Sequence, residues 1–136
     1  MRLYSSPRVL WSLLVVYWIF LTALLLTPEP WRYLSDFGTP IQELVERTLA
    51  DYARHFLAFS LLATLAWTAR ASTNCPSAII LLASLLSYAI LTEAVQGFIP
   101  DRFFQWLDIL ANTVGIAVGW NLPAQLARRR ASRRLA

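Results

Sequence analysis

No lysine occurs anywhere in this chain of 136 residues: all twelve basic side chains are arginine, which removes a lysine nucleophile or Schiff base from consideration. Cysteine and histidine occur once each, as Cys75 and His55. A single thiol forms no intramolecular disulfide, and one Cys beside one His gives no zinc-ligand spacing, so neither staples nor a structural metal is expected to hold the fold. Charge is also scarce, at 15% of residues, where soluble domains carry roughly a quarter. Apolar side chains make up 57% of the chain and the mean hydropathy is +0.50. A typical soluble domain of this size is less apolar, and the composition points to a membrane protein.

Four apolar stretches predict four membrane-spanning helices, at about residues 9–26, 51–70, 77–98 and 104–122. Val9 to Leu26 runs eighteen residues without a charge, about enough to cross a hydrocarbon core of roughly 30 Å. It ends in Leu24, Leu25 and Leu26 before Thr27, Pro28, Glu29 and Pro30, a poor cleavage site, so an uncleaved anchor is expected in place of a signal peptide. The polar interval that follows begins loop-like. Thr39-Pro40 then introduces Ile41, Leu44, Val45, Thr48 and Leu49 at helical spacing, which predicts a short amphipathic helix on the membrane surface. Residues 126–136 form a basic tail with five arginines, expected to be disordered. The six tryptophans, mostly near predicted span ends, and Tyr33 fit interfacial anchoring.

The arginines set an orientation. With four spans, Arg2, Arg8, Arg70 and the five-Arg tail share one side, eight basic residues without an acid, while the other side holds four Arg and all eight Asp and Glu. The positive-inside rule then places both termini in the cytoplasm. The net charge of +4 therefore reflects topology anchoring on anionic lipid, and no nucleic-acid partner is expected.

The same topology gathers the polar residues of the spans. Asp51 and His55 begin the second span, Glu93 and Gln96 end the third, and Asp108 and Asn112 begin the fourth, each pair three or four apart and so on one helix face. A turn at Gly97, Pro100, Asp101 and Arg102 joins the last two spans. All six side chains converge toward the outer face. Ionisable groups inside a membrane segment cost several kcal/mol unless they pair or line a wet cavity, so such a cluster is a functional-site hypothesis.

At this point the residues resemble the VanZ-like membrane proteins, a family named for a protein associated with resistance to the glycopeptide teicoplanin. One block is Asp51, His55, Phe56 and Phe59, in DYARHFLAFSLL; the other is Glu93, Gln96, Pro100, Arg102, Asp108, Asn112, Gly115 and Gly119. Together they cover roughly half the chain with order and spacing intact. Family members often carry Lys directly after the first Asp, where this chain has Tyr52. The resemblance implies a small multi-span protein of the bacterial cytoplasmic membrane and supplies no reaction.

Each residue carries a functional and a structural reading. His55 is a candidate acid or base near neutral pH, held in one tautomer by Asp51 or Glu93, or a hydrogen-bonding residue at a helix end. Glu93 is a candidate base, or an ion-pair partner of Arg102 that ties the hairpin. Gln96, Arg102, Asp108 and Asn112 are candidate ligand contacts, with Arg102 shaped to clamp a phosphate or carboxylate and Asn112 equally a cross-link between helices. Gly115 and Gly119 read as packing, since GxxxG lets a neighbouring backbone approach. A metal set of His55, Glu93 and Asp108 is chemically possible, but no HxxxH or HExxH pattern supports it, so no metal or cofactor is expected.

Two functions fit this pattern. One is a binding module whose outward cluster recognises an envelope component or amphipathic antibiotic: an anionic envelope lipid, a cell-wall precursor or a glycopeptide. The other is a membrane-embedded enzyme doing acid/base chemistry on a lipid-linked or cell-wall substrate through His55, Asp51 or Glu93. Membrane lipids are partners in either case, and the sequence leaves oligomeric state open.

Overall fold

The computed structural model describes residues 6–27, 40–73, 77–100, 102 and 104–135, with residues 40–48, 128–131 and 133–135 described by backbone alone. Trp31, Tyr33, Cys75 and Asp101 lie outside the described residues. The fold is all-α, in four helices: α1 Pro7–Leu26, α2 Pro40–Ser72, α3 Ala78–Gln96 and α4 Trp106–Leu135.

The apolar helices α1 and α3 have boundaries close to the predicted first and third spans. Ser6 caps α1, its hydroxyl accepting from the Val9 N–H at 3.4 Å, with Pro7 at the first helical position where no N–H is needed. Gly97 ends α3, its N–H donating to the Glu93 carbonyl, and the chain turns through further bonds from Phe98 to Val95, Ile99 to Gln96 and Arg102 to Ile99. This is the hairpin turn expected from Gly97 and Pro100.

The helices α2 and α4 differ from expectation in length. The predicted surface helix is not separate: α2 runs unbroken from Pro40 to Ser72, because no Gly or Pro interrupts it after its first residue. The basic tail is likewise helical, continuing α4 to Leu135 with Pro123 inside the helix. At 1.5 Å per residue, 33 and 30 residues span about 50 and 45 Å, beyond the roughly 30 Å of a hydrocarbon core. Among the described residues only α1 and α3 are long and apolar enough to cross a membrane, so a four-span arrangement is not established by helix composition.

Side-chain bonds fix how the helices run. Trp11 Nε1–H donates to Thr73 Oγ1 at 3.1 Å, bringing the start of α1 to the end of α2, so these two are antiparallel. Thr22 and Tyr88 share a hydroxyl bond at 2.8 Å, and Gln96 Nε2 donates to the Leu25 carbonyl at 2.9 Å, so α1 and α3 are parallel. His55 meets Asn112, Ser60 meets Gly115 and Thr64 meets Gly119 in the same order along α2 and α4, which makes those two parallel. The result is an up-down-up-down bundle. Its apolar core comprises Leu21, Leu25, Phe59, Leu62, Ala63, Ala66, Leu85, Ala89 and Ile116.

Glycine sets the distance between α2 and α4. A Cβ on Gly115 would lie 2.5 Å from the Phe56 carbonyl oxygen, and one on Gly119 would collide with the Ser60 carbonyl. Only hydrogen fits at either position. At this separation Ser60 and Thr64 hydroxyls, themselves four apart, donate to the Gly115 and Gly119 carbonyls at 3.0 Å each. The second bond has a local cause: Pro123 has no N–H for the Gly119 carbonyl four residues before it, and the Thr64 hydroxyl takes that place.

Candidate functional site

Because α1 and α3 run one way and α2 and α4 the other, one end of the bundle collects Leu25, Asp51, His55, Glu93, Gln96, Asp108 and Asn112. Burial here is inverted. His55, Glu93, Asp108 and Asn112 are 4%, 0%, 3% and 1% exposed, while Leu107, Leu110, Val114 and Val118 on the outer stripe of α4 face outward.

His55 lies at the centre. Its Nδ1 sits 3.0 Å from Asn112 Oδ1, an atom that can only accept, so in the bonded arrangement Nδ1 donates and Nε2 points the other way. Nε2 faces Asp108 Oδ2 at 3.9 Å, beyond hydrogen-bond length. Asp108 is in the first turn of α4, where the helix N-terminus favours negative charge, and its own N–H donates to the Gln105 carbonyl at 3.1 Å. Asp108 Oδ1 is buried and has no partner among the described residues.

Glu93 sits against the same helix end from α3. Its Oε1 accepts the Gln105 N–H at 2.7 Å, and its Oε2 is buried without a partner among the described residues. The Glu93–Arg102 ion pair considered from sequence is not formed; a backbone donor at the start of α4 holds the carboxylate instead. Arg102 is half-buried and forms no ion pair among the described residues, but remains within Coulombic reach of both Glu93 and Asp108.

Asp51 occupies the rim. Its carboxylate, partly exposed, pairs with Arg54 at 3.5 Å one turn along α2. One ligand-type atom from each of Asp51, His55 and Asp108 lies within 4.8 Å of the others. Gln96 turns away from this group toward the Leu25 carbonyl, which makes it a tie between α3 and α1. Gly115 and Gly119 have the packing role expected of them.

Sequence reasoning passed over Ser60, Thr64 and the Gln105 N–H. The first two carry a signal, since their spacing of four matches that of Gly115 and Gly119. A backbone N–H carries none. Away from the polar end, a cavity of about 260 Å³, lined by apolar side chains with Ser84 and Tyr88, opens between α1, α2 and α3 beside Trp11, Trp18 and Leu85.

The arrangement offers three kinds of chemistry: a histidine oriented through Nδ1, two buried carboxylate oxygens without a partner among the described residues, and a guanidinium nearby. No curated protein and no solved structure matches the chain. Residues 11–126, which include every residue of the polar cluster, match the model of the family described as VanZ/LLP1. The chain belongs to the VanZ/LLP1 family.

Proposed function

We propose that this is a multi-pass protein of the bacterial cytoplasmic membrane that binds an envelope component or amphipathic antibiotic at its polar cluster and contributes to glycopeptide resistance of the teicoplanin type. The observation that carries the binding reading is the pair of buried carboxylate oxygens, Glu93 Oε2 and Asp108 Oδ1, without partners among the described residues. A buried acceptor left unmade costs about 1–3 kcal/mol, more when charged, and a ligand bearing N–H, O–H or ammonium groups removes that cost. Arg102, on the same turn, suits an anionic group of an envelope lipid or cell-wall precursor.

The membrane setting is supported by the inverted burial. Only 11% and 22% of the apolar stretches of α1 and α3 are buried, unlike core helices of a soluble protein. Leu57 and Leu61 on α2, with Leu107, Leu110, Val114, Val118 and Leu122 on α4, extend the outward apolar surface to the other two helices. In this reading all four helices cross, both termini are cytoplasmic and the cluster opens outward.

The second reading is a membrane-embedded enzyme, favoured by one observation: Asn112 orients His55 so that its Nε2 lone pair faces the cluster, the arrangement of a general base. Expression in a teicoplanin-sensitive bacterium, with the purified chain titrated in nanodiscs, tests both. Binding predicts a several-fold rise in the inhibitory concentration, and loss of both affinity and protection in Glu93→Gln and Asp108→Asn at unchanged membrane levels. An enzyme predicts that His55→Gln retains ligand and loses protection. The absence of both protection and ligand binding in the parent protein would refute the proposed function.

A further inference from the structure

We propose that Asp51, His55 and Asp108 form a binding site for one divalent transition ion, of the zinc or manganese kind. The inference rests on the reading of the polar cluster as a ligand-receiving site and names an inorganic ligand for it.

The first argument is geometric. One donor atom from each of the three side chains lies within 4.8 Å of the others. With metal–ligand bonds of about 2.1 Å, donors around a single ion stand about 3.0 to 4.2 Å apart, depending on the angle between them. His55 Nε2 and Asp108 Oδ2, at 3.9 Å, already fall in that range. The remaining contraction falls to Asp51, whose carboxylate sits partly exposed at the rim and would exchange its 3.5 Å pairing with Arg54 for the ion.

The second argument is the direction of protons and lone pairs. Asn112 Oδ1 takes the Nδ1 proton of His55, so a lone pair on Nε2 points at a carboxylate oxygen across a gap too long for a hydrogen bond. With the ring neutral and its proton on Nδ1, two acceptors face one another across this gap, a place that a metal ion fills. A histidine that ligates a metal through one nitrogen ordinarily donates from the other to a fixed oxygen, which is the part Asn112 plays here.

The third argument is independent of the three ligands. Glu93, on a different helix, is fully buried, leaves Oε2 without a partner among the described residues and lies within Coulombic reach of both His55 and Asp108. A second unmatched acceptor beside the trio is the environment of a positive ion.

Donor chemistry narrows the ion. One imidazole with two carboxylates suits zinc or manganese, lacks the thiolates that select softer ions, and disfavours magnesium and calcium, which take oxygen alone. Three protein ligands leave at least one position for water or substrate, as in catalytic zinc sites. This set replaces the His55, Glu93 and Asp108 combination considered from sequence: Glu93 is held by the Gln105 N–H, and Asp51 shares a helix face with His55.

The test uses the full chain, free of any affinity tag, in detergent or nanodiscs, stripped with chelator and titrated separately with Zn²⁺, Mn²⁺ and Mg²⁺. The site predicts about one Zn²⁺ or Mn²⁺ per chain and at least tenfold weaker Mg²⁺. Asp108→Asn and His55→Gln should each weaken Zn²⁺ or Mn²⁺ more than tenfold, and Asn112→Leu about 10–100-fold, as expected when the group orienting a ligand is lost. Should a buried variant fail to fold, Asp51→Asn at the rim gives the same reading, with at least tenfold weaker binding. X-ray absorption on the loaded parent protein should show a shell of nitrogen and oxygen with one imidazole. Substoichiometric uptake, affinity unchanged in Asp51→Asn and Asp108→Asn, or a shell without imidazole overturns the proposal. Ion binding without glycopeptide protection refutes the binding function alone, whereas protection and ligand binding without the ion refute the metal site alone.

Discussion

The pair α2 and α4 and the pair α1 and α3 solve the problem of packing in a bundle in opposite ways. Between α2 and α4 the backbones nearly touch at Gly115 and Gly119, hydroxyls bond to carbonyls across the gap, and His55, Asp108 and Asn112 are buried at one end. The apolar α1 and α3 meet through long side chains, Thr22 with Tyr88 and Gln96 with Leu25, and a cavity lies beside them. In the membrane setting proposed above, hydrocarbon gives apolar helices no drive to associate, so polar bonds and close backbone approach determine which pair holds together. The chemistry accordingly resides on the tight pair, with one carboxylate, Glu93, delivered from α3 by the turn that leads into α4.

The largest effect expected from this contrast is at Gly119. Gly119→Val drives a side chain into the Ser60 backbone and should cost about 3 kcal/mol or more, or abolish folded protein. Gly97→Ala, whose added methyl meets nothing nearer than 3.4 Å, should stay within about 1 kcal/mol. Thermal unfolding in detergent compares them. Next is Asn112→Leu, which strands the His55 Nδ1–H in a buried site and should destabilise by about 1–3 kcal/mol in the same assay. Thr64→Val should cost about 1 kcal/mol, and most of that should vanish in a Pro123→Ala background, where Ala supplies the N–H that the Gly119 carbonyl lacks. Equal costs in both backgrounds would break the link between Thr64 and the proline. The smallest effect belongs to the outer face of the loose pair: Val16→Ala, exposed on α1, should change stability by less than about 0.5 kcal/mol.

Much of this was legible from residue spacing. The pairs at three and four, Asp51 with His55, Glu93 with Gln96 and Asp108 with Asn112, locate faces, and alternating helix direction brings those faces to one end. Spacing does not report distance or competition. Gln96 shares a face with Glu93 yet is claimed by a carbonyl at the end of α1, and Glu93 is claimed by a backbone N–H with no side-chain signature. The lengths of α2 and α4 were misjudged for a different reason. A change in polarity at residue 50 and a proline at 123 look like boundaries, but helix continuity depends on unbroken backbone bonding, and the freed carbonyl before Pro123 is satisfied by Thr64.

The central claim is that Glu93 and Asp108 are kept buried and unmatched for a ligand. Their replacement by Gln and Asn separates that claim from a structural role, because an amide retains an acceptor and carries no charge. The direct measurement is the melting temperature of ligand-free Asp108→Asn and Glu93→Gln, beside glycopeptide protection in cells at matched membrane levels. Unchanged or raised stability with loss of protection is the predicted result; lowered stability with protection intact would contradict it.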